Sequence, residues 1–125
     1  MKIAITSTGT TLTAPVDPRF GRCAYFIIIE TANMSFEAAP NPGLDRGGGA
    51  GIQSAKLMAS KGVEAVLTGN CGPNAHQTLS AAGIPIMTGI TGTVEEATAK
   101  FIAGEFQAAS GPNVASHAGM GKASR

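Results

Sequence analysis

Glu64-Ala65-Val66-Leu67-Thr68-Gly69-Asn70-Cys71-Gly72-Pro73 is the stretch whose reading decides the fold. Its first half is apolar around a β-branched residue and reads as a strand. Gly69 to Gly72 reads as a turn. Pro73 suits the first position of a helix, where its missing N–H would have had no partner anyway. The helix that follows places Ala75, Leu79 and Ala82 on one face and stops at Gly83. Strand, tight turn and helix in that order make a unit of a parallel sheet.

Similar units lie on both sides of it. Upstream, Ile52 to Lys61 carries Ile52, Ala55 and Ala59 at helical spacing, with Gly62 as the stop. Downstream, Ile84 to Thr88 reads as a strand. Thr93 and Glu96 then form a capping-box pair, followed by Val94, Ala97 and Phe101 on one face and Gly104 as the stop. Glu105 to Ala109 can add a short extended segment.

The opening of the chain is different. Lys2 to Thr6 is a strand, and Ser7 to Ala14 a loop. Val16 to Arg22 cannot be helical with Pro18 and Gly21 inside it and Pro15 before it. Tyr25 to Glu30 is apolar at nearly every position, as in a strand buried on both faces. Thr31 to Asn33 is a turn. Met34 to Ala39 is an edge strand closed by Pro40 and Pro42. The order β-β-β-α-β-α-β-α predicts an α/β fold with a mixed five-stranded sheet. It is an antiparallel meander plus βα units, with helices on its faces and the parallel strands beside the first strand. This is the ribonuclease-H-like layout. Residues 1–109 are expected to be a single domain and residues 110–125 a disordered tail.

A chain of 125 residues with a net charge of +1 has no general electrostatic footprint for nucleic acid or membrane. The apolar run at the start is too short for a signal-peptide core or a membrane span, so a cytoplasmic location is expected. Two distant cysteines make no disulfide framework there. Any anion site must be local.

In an open α/β sheet, ligands bind beyond the carboxyl ends of the strands. Three loops leave such ends: Ser7 to Arg22, Gly69 to Gly72 and Gly89 to Gly92. The first contains Asp17-Pro18-Arg19-Phe20-Gly21-Arg22-Cys23, with paired arginines, an aromatic and a thiol in a turn context. The glycine run Gly47 to Gly51 precedes the first helix and can reach the same rim. Helix N-termini present free N–H groups and favour anions. Arg19 and Arg22 add full charges, Gly69, Asn70 and Gly72 offer backbone contact, and Phe20 packs the loop on the sheet. The alternative for the glycines is that they only make tight turns.

Several chemistries are not supported. No Walker lysine follows Gly69 or Gly47. Lys2 to Thr6 lacks the carboxylates that a two-metal nuclease needs. Without a C-x-x-C, and with His117 in the tail, a closed zinc site is not expected. Cys71 stands at a helix N-terminus, which would lower its pKa. It and Cys23 are candidate soft metal ligands, or else small buried hydrophobes. His76 is five residues from Cys71, a poor spacing for a base.

Met1 to Ile5, Pro15 to Arg22, Thr68 to Ala75 and Leu79 to Ile84, in this order and spacing, resemble the dinitrogenase iron–molybdenum cofactor biosynthesis family. Gly9 to Leu12, Ala14 to Arg22 and Met34 to Glu37 are most similar to its orange-protein branch. The likeness runs from residue 1 to about residue 107. It implies a ribonuclease-H-like fold without nuclease activity and weakly coordinated binding of a metal–sulfur cluster. For the orange-protein branch that cluster is an anionic molybdenum–copper sulfide. Family carriers often have histidine before Phe-Gly, where this chain has Arg19. The expected function is non-enzymatic carriage or assembly of such a cluster, with protein partners for assembly or delivery. The alternative is a metal-free protein-interaction or regulatory module. An enzyme acting on a phosphorylated small molecule ranks below both, because no base–nucleophile pair stands out.

Overall fold

The computed structural model describes residues 1–43, 50–109 and 111. Gly47 to Gly49, His117 and all of the expected tail except Gly111 lie outside them. The elements are β1 (Lys2–Ser7), β2 (Tyr25–Glu30), β3 (Ser35–Pro40), α1 (Ala50–Ser60), β4 (Ala65–Leu67), α2 (Pro73–Ala81), β5 (Ile86–Met87) and α3 (Val94–Ile102). They build one mixed sheet in the order β3-β2-β1-β4-β5. β1 pairs antiparallel with β2, which pairs antiparallel with β3. β4 lies parallel to β1, and β5 parallel to β4. The expected mixed α/β sheet of five strands is therefore present.

Alternation along the central strands makes two cores. Ala4, Phe26, Ile28, Val66 and Ile86 face one way and meet Ala55 and Met58 of α1 and Ala75 and Leu79 of α2. Ile3, Ile5, Ile27, Ile29, Ala65 and Leu67 face the other way and meet Val94 and Ala97 of α3. Each fully buried Ile or Leu contributes about 1.5–3 kcal/mol. A sheet covered on both faces is why β2 reads as a continuous apolar run.

The two sheet edges differ. Ala109 N–H donates to Ile86 O at 2.7 Å, and Phe106 packs on the α3 side. The extended segment after α3 thus covers the β5 edge. Among the described residues nothing pairs with the outer side of β3, where Phe36 is 44% exposed.

Some expectations need correction. Met34 is not in a strand: its φ of 62° places it in the turn before β3. In α1 the buried residues are Ala50, Ser54, Ala55 and Met58, while Ala59 is exposed and Ile52 half-buried. Ser54 hid this face from an apolar pattern. It is fully buried because its hydroxyl is hydrogen-bonded to Asn41 Oδ1 and Ala50 O, 2.7 and 3.0 Å away. Ala82 caps α2 and is exposed. The helix stops Gly62, Gly83 and Gly104 have φ of 71°, 75° and 77°, the left-handed region that glycine enters without penalty. No helix among the described residues is long and apolar enough to cross a membrane.

Candidate functional site

The loops leaving β1 and β4 meet at the carboxyl end of the sheet. Thr6 Oγ1, at the end of β1, donates to Asp17 O at 2.6 Å and lies 2.9 Å from Thr68 Oγ1. Phe20 N–H donates to Asn70 O at 3.1 Å, and Asn70 Nδ2 donates to Pro18 O at 3.1 Å. Arg19 and Asn70 form an isolated parallel bridge. Gly69 permits this closeness: a Cβ there would lie 2.7 Å from Pro18 Cα. Phe20 is buried, with its ring tilted against Phe26 at 5.3 Å. The Asp17–Cys23 stretch and the Gly69–Pro73 turn are thus two walls of one rim.

Beside the bridge lies an open cleft of about 270 Å³. Gly21, Arg22 and Gly72 line it together with the starts of two helices, Ala50 and Gly51 of α1 and Pro73, Asn74 and Ala75 of α2. Small residues bring these backbones together. A Cβ on Gly21 would be 3.3 Å from Gly51 Cα, and one on Gly51 would be 3.1 Å from Ala75 Cβ. Neither helix has an acidic residue in its first turn. Gly72, the N-cap of α2, makes no side-chain cap hydrogen bond. Among the described residues no acceptor meets the N–H of Asn74 or Ala75. Each helix start carries roughly half a positive charge. With Arg22 the cleft favours a ligand with negative charge and hydrogen-bond acceptors.

The two arginines part company. Arg22 is exposed, lines the cleft and makes no ion pair among the described residues. Arg19 uses its Nε and its backbone N–H on Asp17 Oδ1, at 3.4 and 2.9 Å. Its side chain is 62% exposed, so the pair braces the loop modestly.

Both cysteines are core residues. Cys23 is fully buried, and its thiol donates to Phe20 O at 3.4 Å. Burial, reinforced by the negative charge of Asp17, pushes its pKa up to about 12. Cys71 is 1% exposed, and burial pushes its thiol up to about 11. Burial thus acts against the lowering expected from the α2 N-terminus, because a desolvated thiolate is costly. His76 Nδ1 lies 3.4 Å from Ser80 Oγ, on the same helix. Among the described residues no group of three or more His, Cys, Asp or Glu side chains could hold a metal ion.

Of the sequence-derived candidates, Arg22 and Gly72 line the cleft, while Arg19, Asn70, Gly69 and Phe20 hold its wall. Cys71 and Cys23 lie in the core cluster behind. Asn74, Ala50 and Asn41 were not singled out. Asn74 and Ala50 are unremarkable as residue types, and only their place at converging helix starts gives them a role. Asn41 stands between Pro40 and Pro42, and nothing local marks it.

The chain is similar to known proteins over most of its length. The family model described as dinitrogenase iron-molybdenum cofactor matches residues 1–104. An uncharacterized protein of Methanocaldococcus jannaschii is 32% identical over 110 residues, covering 86% of this chain and 90% of its own. The apo orange protein from Desulfovibrio gigas is 40% identical with a TM-score of 0.88, over 90% of this chain and 96% of that one. A NifB-like protein from Thermotoga is 36% identical with a TM-score of 0.75, over 86% of this chain and 91% of that one. With the family model matching residues 1–104 and the fold shared over most of its length, the chain belongs to the dinitrogenase iron-molybdenum cofactor family.

Proposed function

We propose that this protein binds and carries an anionic, molybdenum-containing metal–sulfur cluster, without catalysing a reaction on it. The observation behind this reading is the cleft where two helix starts free of acidic residues meet Arg22. Its donors are N–H groups and a guanidinium, which suit the electron-rich surface of a sulfide cluster and not a bare cation. Cys23 and Cys71 are buried in the core cluster and neither lines the cleft, so the proposal places the first contacts with the cluster on the N–H groups and the guanidinium. The cluster is therefore cargo held by charge and hydrogen bonds, in keeping with a carrier that must release it.

The molybdenum–copper sulfide type is proposed from the likeness to the orange-protein branch and from the anion-favouring donors. The ribonuclease-H-like assignment of the fold, a cytoplasmic location and hand-over to an assembly protein complete the proposal. The sheet order β3-β2-β1-β4-β5 supports the first of these and the family membership the last.

The test is reconstitution. Tetrathiomolybdate and copper are added to the apo-protein, and the visible absorption is followed. Protein-dependent charge-transfer bands are expected with the wild type and with Cys23→Ser/Cys71→Ser. They should weaken at least about tenfold in apparent affinity in Arg22→Ala and less in Arg19→Ala. Added salt should also weaken binding. An absence of bands would overturn the cluster reading and favour the metal-free interaction module. Unchanged binding in Arg22→Ala would displace the cargo from this cleft.

A further inference from the structure

Beneath the cleft sits a buried side chain with no assigned role. Asn41 is 6% exposed, and its amide is hydrogen-bonded to Gly21, Cys23, Gly43 and Ser54. Its Nδ2 donates to Gly21 O at 3.2 Å and to Cys23 O at 2.9 Å, the carbonyls one residue before and one after Arg22. Its Oδ1 accepts from Gly43 N–H at 2.9 Å and from Ser54 Oγ at 2.7 Å. The amide can point only this way: carbonyls cannot donate and an N–H cannot accept, so a flipped amide would lose at least three bonds. Asn41 N–H adds a bond to Ala24 O at 3.1 Å. Ser54, in turn, is bonded to Ala50 O at 3.0 Å, in the first turn of α1.

One side chain thus grips both walls of the cleft. On one side it holds the carbonyls of Gly21 and Cys23, the residues on either side of Arg22. On the other, through Ser54, it reaches the start of α1, whose Ala50 and Gly51 form the opposite lining. Arg22 itself is exposed, and no ion pair among the described residues orients it. Its backbone is what the fold can fix.

We infer that Asn41 is a positioning residue: it sets the distance and register between the Gly21–Arg22 wall and the α1 start, and so preorganises the anion cleft. The effect on cargo rests on the proposed cluster binding, but the positioning itself can be read without a ligand. Aspartate would add a charge near an anion site, so the informative variant is neutral, Asn41→Ala. Ser54→Ala is its milder companion, cutting only the link to α1.

The test combines amide hydrogen exchange on the apo-protein with the tetrathiomolybdate–copper titration. In Asn41→Ala, exchange should accelerate at Phe20, whose N–H donates to Asn70 O, at Gly43, whose N–H loses its acceptor, and in α1 from Ser54 onward, while α3, packed on the other face of the sheet, keeps wild-type protection. The apparent affinity should fall about tenfold. Ser54→Ala should loosen α1 alone, from residue 54 onward, with a smaller loss. Should Asn41→Ala be too unstable to study, the Ser54→Ala pattern decides. Exchange rising equally in α3 would reduce Asn41 to a general stabiliser and overturn the inference. So would unchanged exchange at Phe20 and Gly43, or unchanged affinity in a wild type that binds. A wild type that binds no cluster overturns the cargo reading alone, and the exchange pattern still decides the role of Asn41.

Discussion

The starts of α2 and α3 are finished in opposite ways. At α3, every early N–H has a protein acceptor. Val94 N–H donates to Ala14 O, Glu95 N–H to Leu12 O and Glu96 N–H to Thr93 Oγ1, at 2.9, 2.8 and 3.2 Å. Glu96 returns a bond to Thr93 N–H at 2.8 Å, and two glutamates lie in the first turn. At α2 the cap is Gly72, the first residue is proline, the first turn has no acid, and the N–H groups of Asn74 and Ala75 face a cleft. One helix start is closed by its own chain. Among the described residues, the other leaves the N–H groups of Asn74 and Ala75 without an acceptor. A protein that stabilises one end fully and leaves the other open beside an arginine points to the open end as the place for an anionic ligand.

Experiments can break this contrast, and the largest effect should come from the contact that seats the α2 start. In Gly69→Ala the new Cβ would fall 2.9 Å from Pro18 O as well as on its Cα. The backbone must shift, at a cost of about 1–3 kcal/mol. Urea unfolding should show this as a lower midpoint at an unchanged slope. A neutral substitution would mean that the two loops are not held as described.

Alkaline pH should act next. The buried thiols titrate at about 12 and about 11 in the fold, against 9.0 when exposed, so the unfolded chain releases its protons first. Their contribution to stability is intact below pH 9.0 and is lost as the pH rises through the folded values. Cys23→Ser/Cys71→Ser should flatten that decline, and native Cys71 should react slowly with iodoacetamide at neutral pH. Fast alkylation would mean that the α2 dipole governs this thiol after all.

Smaller effects separate the two helix starts directly. Thr93→Ala should cost about 1 kcal/mol by removing the cap, with cluster binding unchanged. The Thr93 backbone N–H, and then its hydroxyl, hold the Glu96 carboxyl below its usual range. That stabilisation is present at neutral pH and is lost as the pH falls through the lowered value, so the deficit of Thr93→Ala should narrow in acid. Asn74→Asp should do the reverse. An acid in the first turn of α2 should add about 0.3–1 kcal/mol of stability while weakening cluster binding. If both properties move together, the α2 start is only another structural cap.

Much of this molecule was legible in the chain. The capping box at Thr93 and Glu96, the proline opening α2 and the three glycine stops are local devices, each requiring only a few neighbouring residues. Strand order followed because a meander and βα units have few ways to share a sheet. The face of α1 was misread because Ser54 is polar and its partner, Asn41, is distant in sequence. The place of Cys71 at a helix start is visible in the sequence, whereas the depth of burial that raises its thiol is not.

The sequence by itself determined the elements, the mixed sheet and the family, since these rest on periodicity, turn chemistry and motifs in order. Only the tertiary structure decided which arginine faces the cleft, which glycines serve close contact and which helix start stays open. Those depend on backbones that meet across long stretches of chain: Gly21 against Gly51, Gly51 against Ala75, and Gly69 against Pro18. No local pattern records such a meeting, because the small residues that permit it look the same as those that merely turn the chain.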